Sequence, residues 1–398
     1  MNILHVVTLV SPDGEYGGPV RVATNQLAAL RDAGHSAVLV ASRRPSGDTP
    51  AEVSGVPLKL FRARRALPRS GFAGLTAPSM LWWFLRNRQS FDVVHVHLAR
   101  DLVTLPMALI ALGSRIPLVL QTHGMIDASS RRLAHLLDAA VTRRVLVGAD
   151  AVLYLTDRER SDLLSISDNI ALSHLANGVP STTQTAAPEV EPPEFLFLAR
   201  LHPRKRVVTF VRAATALLDG GADARFAIVG PDEGDGSAVR ALIQASGHRD
   251  RIRWEGPVSP SSTLDRMCAS SVYVLPAVDE PFPMAVLEAM SVGLPVVVTN
   301  SCGLAELVAR TGSGTVVDDT DDSLCRVMAE LIANPTLRQT QGRRGRDVVS
   351  SELAMGAVCR QLEKVYETTL TTYCRGSSGP RAPRPVPTDS GRKGPASG

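Results

Sequence analysis

The chain has 398 residues, of which 44% are hydrophobic and 21% are charged, and its formal net charge is +4. A chain of this length is too long for one hydrophobic core, so two domains are expected, and its apolar content excludes disorder throughout. The small net charge and an aromatic content of 4% argue against nucleic-acid binding.

The amino terminus and the cysteines indicate a cytoplasmic protein. Residues 1–10 lack a basic stretch and predict a buried strand instead of a signal peptide. The five cysteines contain no C-x-x-C pair, which argues against a zinc ribbon or a disulfide framework and fits a reducing compartment. Pro106 and Pro117 interrupt the apolar stretch 102–120, which falls short of the roughly 20 residues that a transmembrane helix needs.

In the first half of the chain, short apolar runs alternate with longer amphipathic stretches, a pattern typical of parallel strands joined by helices. Pro19 suits the first turn of the first helix, and Gly34 suits its end. The predicted strands lie near residues 2–9, 36–41, 92–97, 117–122, 150–155 and 171–175. The predicted helices lie near residues 19–33, 79–88, 101–112, 131–147 and 157–165.

A second alternating series follows a segment rich in Thr, Ala and Pro. Its predicted strands lie near residues 195–199, 225–230, 251–254, 272–275, 294–298 and 314–317. Its predicted helices lie near residues 206–219, 237–246, 262–269, 284–292 and 323–333.

The expected organisation is an amino-terminal domain over 1–180, a linker over 181–193, a carboxy-terminal domain over 194–350, a helix over 351–375 that returns to the first domain, and a disordered tail over 376–398. The fold class is α/β, with two Rossmann-like doubly wound domains that face an interdomain cleft. Ligands of such folds bind at the carboxyl ends of the strands.

Residues 276–298 are the most informative stretch. Glu280 precedes the start of a predicted helix, and Glu288 lies inside that helix. These two carboxylates can bind sugar hydroxyls and a ribose. The free amides of the helix amino terminus lie between them and favour an anion such as a diphosphate. The segment therefore predicts half of a nucleotide-sugar site.

The loop after the predicted strand 195–199 carries four cations. Arg200 lies at the strand end, and Lys205 lies at the start of the next helix. Together they can neutralise a diphosphate leaving group without a metal. The alternative is a solvated basic turn.

Candidate residues of the first domain lie in loops after strands. Gly17 and Gly18 let the backbone approach a ligand closely, with a flexible turn as the alternative. Arg21, one turn into the first helix, can reach the cleft and bind an acceptor. His123 ends the predicted strand 117–122, although a lone histidine is more often structural. The alternating pair His95 and His97 is equally consistent with packing, and no metal site is predicted there.

Together these motifs resemble the retaining nucleotide-sugar glycosyltransferases of GT-B fold, specifically glycosyltransferase family 4. The resemblance covers residues 1 to about 370. It is carried by Glu280-x7-Glu288 within EPFPMAVLEAM, A-R-L-x-P-x-K at 199–205, the Gly17-Gly18 pair, His123 in QTHGMID, Asn177-Gly178-Val179, Val229-Gly230-Pro231, and Gly303-Leu304-Ala305-Glu306. It implies a hexosyltransferase that moves a sugar from a nucleotide diphosphate sugar to a hydroxyl acceptor with retention of configuration, without a metal or another cofactor.

The resemblance also assigns roles to residues. Arg200 and Lys205 would hold the donor diphosphate, Glu288 the ribose, and Glu280 the hydroxyls of the transferred sugar. His123 would contact that sugar near its anomeric carbon. Further donor contacts are expected at Gly17, Gly18, Gly230, Val258, Met284 and Ala285. Acceptor contacts are expected at Asp127 and Arg21.

Three departures from the family pattern are visible. Ala128-Ser129 stands where relatives often carry Pro–Trp, so the acceptor pocket is expected to differ in shape. Arg206 and Pro283 replace common glycines, but neither change removes a charged partner.

The D-x-D at 319–321 would bind a divalent ion in a different glycosyltransferase fold, whereas its place before a helix favours N-capping.

Several alternatives remain open. Basic residues near 62–69 and the aromatic residues Trp82, Trp83 and Phe84 could dock on anionic lipid at the inner face of a membrane, unless the tryptophans belong to the core. A sugar phosphorylase, a nucleotide-sugar epimerase or a non-catalytic binding module could use the same two-domain cleft. The donor base, the sugar, the acceptor and the oligomeric state are not readable from the sequence.

Overall fold

A computed structural model of the protein describes residues 1–10, 17–44, 52–53, 55–66, 71–126, 141–187, 189 and 191–376. The chain divides into two compact units. Unit 1 contains Met1–Leu175 and the residues from Cys359 on, and unit 2 contains Ala176–Val358. The predicted linker, 181–193, belongs to unit 2, where Ala186 N donates to Val292 O at 2.8 Å.

Unit 1 begins with strands and helices in alternation. Its strands are β1 Asn2–Val10, β2 Ser36–Arg43, β3 Glu52–Val53, β4 Val56–Arg62, β5 Arg64–Arg65, β6 Leu75–Thr76, β7 Val93–His97, β8 Leu118–Gln121, β9 Ala151–Tyr154 and β10 Leu172–His174. Its helices before residue 175 are α1 Gly17–Asp32, α2 Pro78–Asn87, α3 Thr104–Gly113, α4 Arg143–Gly148 and α5 Asp157–Ile166.

The main sheet of unit 1 has the order β10-β9-β8-β7-β1-β2-β4-β3. Its pairs are parallel except for β3 with β4. Strand β1 lies at the centre and is buried from Ile3 to Val10, which explains its nearly continuous apolar sequence. The register places His5 of β1 opposite His95 of β7.

Unit 2 repeats the alternation. Its strands are β11 Glu194–Leu198, β12 Arg225–Val229, β13 Ile252–Gly256, β14 Val272–Leu275, β15 Val296–Thr299 and β16 Gly314–Val317. Its helices are α6 Val207–Asp219, α7 Gly236–Ala245, α8 Thr263–Cys268, α9 Met284–Ser291, α10 Ala305–Thr311, α11 Asp321–Ala333 and α12 Pro335–Glu352. The last helix, α13 Met355–Gly376, starts in unit 2 and continues in unit 1.

The sheet of unit 2 is parallel, with the order β13-β12-β11-β14-β15-β16. The predicted α/β class with parallel sheets in two bodies is confirmed. Both sheets are doubly wound, because the chain first builds outward on one side of a central strand and then on the other.

The structure differs from the expected elements at several places. Helix α1 begins at Gly17, before the predicted start, because a proline in the first helical turn forfeits no intrahelical hydrogen bond. Strand β4 was not predicted, since basic residues obscured its apolar alternation. Most of the helix predicted near 131–147 lies outside the described residues, and the part that is described forms α4.

Helix α12 was also missed, because its sequence is polar and contains two glycines. Packing explains why glycine occurs at both positions. A Cβ at Gly342 would lie 2.0 Å from Gly293 O, and one at Gly345 would lie 3.4 Å from the Met290 side chain. Close packing against the turn after α9 therefore outweighs a weak helix propensity. Within the described ranges, no helix has the length and apolarity that crossing a membrane requires.

Candidate functional site

The candidate site of unit 2 lies where its sheet changes winding direction, between β11 and β14. The loops after these neighbouring strands lie at their carboxyl ends, the edge at which doubly wound sheets bind ligands. The two loops are tied together, because Val278 N donates to Arg204 O at 3.0 Å. The switch point therefore brings the loop of Lys205 next to the loop of Glu280.

An ion pair links the same two loops through side chains. Lys205 Nζ lies 2.7 Å from Glu280 Oε2, and the side chains are only 12% and 13% exposed. Arg204 Nη2 approaches the same oxygen at 3.3 Å. Burial lowers the pKa of the Lys205 ammonium, and the Glu280 carboxylate opposes that shift. Two predicted site residues thus lie together, with two cations beside one carboxylate.

Helix α9 begins four residues after Glu280. Met284 and Ala285 are its first two residues, and amides at that position have no partner inside the helix. Glu288 is 4% exposed, so it is not a solvated surface residue. Burial raises the pKa of the Tyr273 phenol well above its usual range, and the charges of Glu288 and Glu280 raise it further. Both carboxylates therefore act electrostatically on one buried phenol.

Arg200 contacts a different carboxylate. Its Nη1 lies 2.6 Å from Glu233 Oε2, with the two side chains 37% and 22% exposed. Glu233 belongs to the loop after β12, in which Asp232 accepts hydrogen bonds from Gly234 N and Gly236 N. Sequence reasoning missed Glu233. The acidic loop directly after a predicted strand was the available signal.

Gly230 and Val258 lie in neighbouring loops of the same sheet edge. Gly230 has a φ of 146°, and a Cβ there would lie 1.9 Å from Ala199 O. Its missing side chain therefore has a structural reason, the close approach of the ends of β11 and β12. Gly230 N donates to Gly256 O at 2.9 Å, so this turn is also tied to the end of β13, two residues before Val258.

In unit 1, Gly17 and Gly18 form the start of α1. Gly18 is exposed, and a Cβ there would meet no atom of the described residues within 4 Å. Arg21 lies one turn further along the helix and is partly buried. Asp127, the predicted acceptor residue, lies outside the described residues.

His123 follows the end of β8 and has a φ of 51°, a left-handed conformation uncommon for residues other than glycine. The buried Glu159 of α5 holds this turn. Its Oε1 accepts hydrogen bonds from Thr122 Oγ1 at 2.5 Å and from Gly124 N at 2.6 Å, on either side of His123. Sequence reasoning missed Glu159, because a glutamate in a charged helical stretch is usually solvated.

The ring of His123 joins a cluster of buried histidines. His97 Nδ1 lies 2.7 Å from His123 Nε2. Burial lowers the pKa of His123 to about 3. It also lowers the pKa values of His5, His95 and His97 well below their usual range, assisted by the neighbouring rings. Ligand atoms of His5, His95 and His97 lie within 4.8 Å of one another, a spacing at which three imidazoles can hold a metal ion.

Two other predicted features have structural roles. In the acidic run, Thr320 caps α11 by accepting a hydrogen bond from Ser323 N, and Asp321 pairs with Arg206 at 3.4 Å. Arg206 has a φ of 57°, which explains why glycine is common at this position.

The aromatic residues of α2 separate into core and surface. Trp83 packs against Phe61 and Phe91, with ring centroids 5.7 and 6.1 Å apart, and Phe84 is buried. Trp82 is 56% exposed, and the Arg86 guanidinium lies 3.8 Å from its ring centroid. The core interpretation therefore holds for Trp83 and Phe84 but not for Trp82.

Comparison with known families gives two matches that together span most of the chain. Residues 17–168 match the family described as "Glycosyl transferase 4-like domain". Residues 182–348 match the family described as "Glycosyl transferases group 1".

Two relatives carry similar sequences over most of their length. The chain is 26% identical over 326 residues to alpha-D-kanosaminyltransferase of Streptomyces kanamyceticus, covering 74% of this chain and 83% of the relative. It is 26% identical over 419 aligned residues to a D-inositol 3-phosphate glycosyltransferase of Kribbella flavida, covering 93% of each.

Solved structures share the fold. Sucrose-phosphate synthase from Thermosynechococcus elongatus superimposes with a TM-score of 0.74 at 19% identity, covering 94% of this chain and 100% of that one. HepE of Anabaena, in complex with UDP and glucose, superimposes with a TM-score of 0.73 at 17% identity, covering 92% and 99%.

Proposed function

Because the chain belongs to the family 4-like glycosyltransferases of GT-B fold, we propose that it transfers a hexose-type sugar from a nucleotide diphosphate sugar to a hydroxyl acceptor with retention of anomeric configuration. The acceptor class is a glycan, a lipid-linked sugar or a natural product. The observation that carries the proposal is the Lys205–Glu280 pair beside the start of α9, at the switch point of unit 2.

The donor diphosphate is proposed to bind between the cationic loop and α9. Lys205 and Arg200 supply positive charge, and the amides of Met284 and Ala285 supply hydrogen-bond donors at the positive end of the helix dipole. The buried Glu288 binds the ribose, and Glu280 binds hydroxyls of the transferred sugar. Val258 and Gly230 border the nucleotide. With two cations and a helix start on the leaving group, a metal is not needed to stabilise its charge.

Donor binding must rearrange two existing ion pairs. Lys205 is held by Glu280 and Arg200 by Glu233. A diphosphate carries more negative charge than either carboxylate and accepts several hydrogen bonds, so it competes well for both cations. Glu280 is then free to turn toward a sugar hydroxyl. The two carboxylates keep these cations compensated when no donor is bound.

The reaction is proposed to proceed on one face of the sugar. The bond from the anomeric carbon to the diphosphate oxygen breaks, and the acceptor oxygen bonds to the same carbon from the same side. The departing phosphate oxygen takes the acceptor proton, so no protein nucleophile is required. The Lys205 and Arg200 charges stabilise the developing diphosphate and thereby lower the barrier.

Unit 1 is proposed to supply the acceptor side. Gly17 and Gly18 allow close approach of the donor phosphate or sugar, and His123 contacts the sugar near its anomeric carbon. Arg21 and Asp127 bind the acceptor. The left-handed turn at His123 and its hydrogen-bonded flanks support this placement, because strained backbone is typical of functional sites.

Peripheral contact with a cytoplasmic membrane face is also proposed, through the exposed Trp82 and Leu85 of α2. An interfacial tryptophan flanked by arginine suits anionic headgroups. Sedimentation with phosphatidylglycerol vesicles at low salt tests this. Wild-type protein should sediment and Trp82→Ala should not, whereas equal recovery of both in the supernatant contradicts membrane contact.

The donor is identified first by thermal shift with UDP-, GDP-, ADP- and dTDP-sugars, since ligand binding to the folded state raises the melting temperature. One nucleotide class should stabilise the protein, and an acceptor should then yield a glycoside with the donor's anomeric configuration by proton NMR. A sugar phosphorylase would require inorganic phosphate, and an epimerase would convert the donor without an acceptor. Donor binding without any turnover would indicate a binding module.

A further inference from the structure

Three buried histidines, the half-buried His123 and a buried tyrosine in unit 1 form one continuous chain of hydrogen bonds. From the site inward, His123 Nε2 contacts His97 Nδ1 at 2.7 Å, and His97 Nε2 contacts His5 Nδ1 at 3.0 Å. His5 Nε2 contacts the Tyr366 hydroxyl at 2.9 Å, and that hydroxyl contacts His95 Nδ1 at 2.7 Å. The chain runs from the turn after β8, through β7 and β1, to helix α13.

The rings of this chain are neutral at physiological pH. Burial, assisted by neighbouring histidines, holds the pKa values of His5, His95 and His97 well below 6.5, and burial alone lowers that of His123 to about 3. A neutral imidazole carries one proton, so one ring nitrogen donates and the other accepts. The tyrosine hydroxyl likewise carries one proton.

Proton counting leaves two arrangements. Five residues carry five protons, and the four hydrogen bonds use four of them. All donors must therefore point the same way along the chain. In one arrangement the spare proton lies on His95 Nε2, at the buried end. In the other it lies on His123 Nδ1, at the turn after β8.

The buried end of the hydrogen-bonded chain, at His95, distinguishes the two proton arrangements. His95 Nε2 has no hydrogen-bond partner among the residues that the structure describes, and His95 is fully buried. In native proteins a buried N–H without an acceptor is rarer than a buried acceptor whose hydrogen bonds are incomplete. The spare proton therefore belongs on His123, with His95 Nε2 left as a lone pair.

We propose that this chain of hydrogen bonds holds His123 as the neutral tautomer protonated on Nδ1. The His123 ring then presents a hydrogen-bond donor to the sugar hydroxyl that it contacts. His97 is the immediate positioning residue, because its Nδ1–H donates a hydrogen bond to His123 Nε2. The role at the sugar rests on the proposed function, whereas the tautomer is a property of the protein alone.

The same geometry disfavours a metal at His5, His95 and His97. The rings of His95 and His97 are stacked at 4.7 Å with an interplanar angle of 6°, so their in-plane lone pairs do not converge on one point. Both nitrogens of His5 and both nitrogens of His97 are already used in hydrogen bonds. The hydrogen-bonded chain accounts for more of these atoms than a metal would.

The first test is the tautomer of His123 in the donor-free wild-type protein, from long-range ¹H–¹⁵N NMR of the imidazole nitrogens. Isolated imidazoles in water favour the proton on Nε2, so protonation of His123 on Nδ1 would show that its hydrogen bond to His97 fixes the tautomer. Nε2 protonation, a charged ring at pH 7, or one zinc ion per purified chain would each overturn the proposal.

The second test is a matched pair of variants at His97. The Asn amide nitrogen can stand at the place of Nδ1–H, whereas the nearly isosteric Leu cannot donate. His97→Asn should retain Nδ1 protonation of His123 and most of kcat. His97→Leu should lose both, about 10- to 100-fold in kcat, with little change in donor KM. Equal kcat and equal His123 spectra in the two variants would refute the role of His97.

These measurements also separate this proposal from the proposed function. The NMR result does not depend on turnover. If the wild-type protein transfers no sugar but His123 is protonated on Nδ1, the proposed function fails and the tautomer assignment stands.

Discussion

Gly18 gives a clean test of the donor contacts in unit 1, because its structural and functional requirements differ. It is exposed in the first turn of α1, and among the residues that the structure describes a methyl group there would meet no atom within 4 Å. Alanine is a better helix residue than glycine by up to about 1 kcal/mol, so Gly18→Ala should leave the free energy of unfolding unchanged or slightly higher.

The expected effect on transfer is the opposite. If the donor phosphate or sugar lies against the Gly18 backbone, the added Cα–Cβ bond of about 1.5 Å pushes the ligand away from its reacting position. A misplacement of about 1 Å can cost 100-fold, which corresponds to about 2.7 kcal/mol of transition-state stabilisation. Urea denaturation and steady-state transfer, measured on the same preparation, check both parts.

Gly34, just beyond the other end of α1, provides the control. It has a φ of 89° and equally open surroundings, so Gly34→Ala should strain the backbone by about 1 kcal/mol without touching the donor. Reduced stability with wild-type kcat/KM is expected. If Gly18→Ala also transferred at the wild-type rate, Gly18 would not lie against the donor.

Three further predictions concern charges and buried groups. Glu233→Gln should tighten nucleoside diphosphate binding about two- to fivefold in calorimetry, because a half-exposed ion pair no longer holds Arg200; weaker binding would instead make Glu233 part of the site. Glu159→Ala should lower the free energy of unfolding by about 3–5 kcal/mol, since the amides of Gly124 and Leu155 lose a buried acceptor. The control Asp150→Asn should cost less, because it weakens only one hydrogen bond, to Leu118 N at the other end of β8. The four histidines of the hydrogen-bonded chain have lowered pKa values, so below pH 6.5 only the unfolded protein gains their protons. Their contribution to the free energy of unfolding should therefore be constant above pH 6.5 and fall below it by up to about 1.4 kcal/mol per pH unit and histidine. A flat urea-denaturation profile from pH 7.5 to 5 would contradict neutral rings.

The site of unit 2 was the most predictable part of the molecule. Strand periodicity located β11 and β14, and the carboxyl ends of parallel strands meet at one edge, so the sequence alone placed Lys205 and Glu280 at the same edge of the sheet. Their direct contact at 2.7 Å depends on the strand order, which places β11 beside β14. The roles in catalysis and donor binding remain predictions that the structure does not test.

Residues that act through long-range contacts could not be predicted. The partner of Arg200 is 33 positions away, and Tyr366 reaches His5 across 361 positions. Nothing local marks either residue, because a glutamate in a loop and a tyrosine in an amphipathic helix are ordinary. Strand register carried a partial signal for His5 and His95, which are paired residues of adjacent strands.

Local conformation was misjudged where tertiary packing outweighs propensity. Helix α12 tolerates two glycines because Gly342 lies against the backbone of Gly293. Arg206 adopts a φ of 57°, although its side chain makes that conformation uncommon. Both positions depend on contacts that only the folded chain supplies.

The central claim is that the Lys205 loop stabilises a departing nucleoside diphosphate, and kcat/KM for sugar transfer by Lys205→Met tests it most directly. Methionine keeps the length of the side chain and removes its charge, and Lys364→Met on the exposed face of α13 is the matched control. The expected result is a loss of about 10³-fold for Lys205→Met, with the control unchanged, because the charge acts on the transition state. Transfer by Lys205→Met within a few-fold of the wild-type rate would contradict the account.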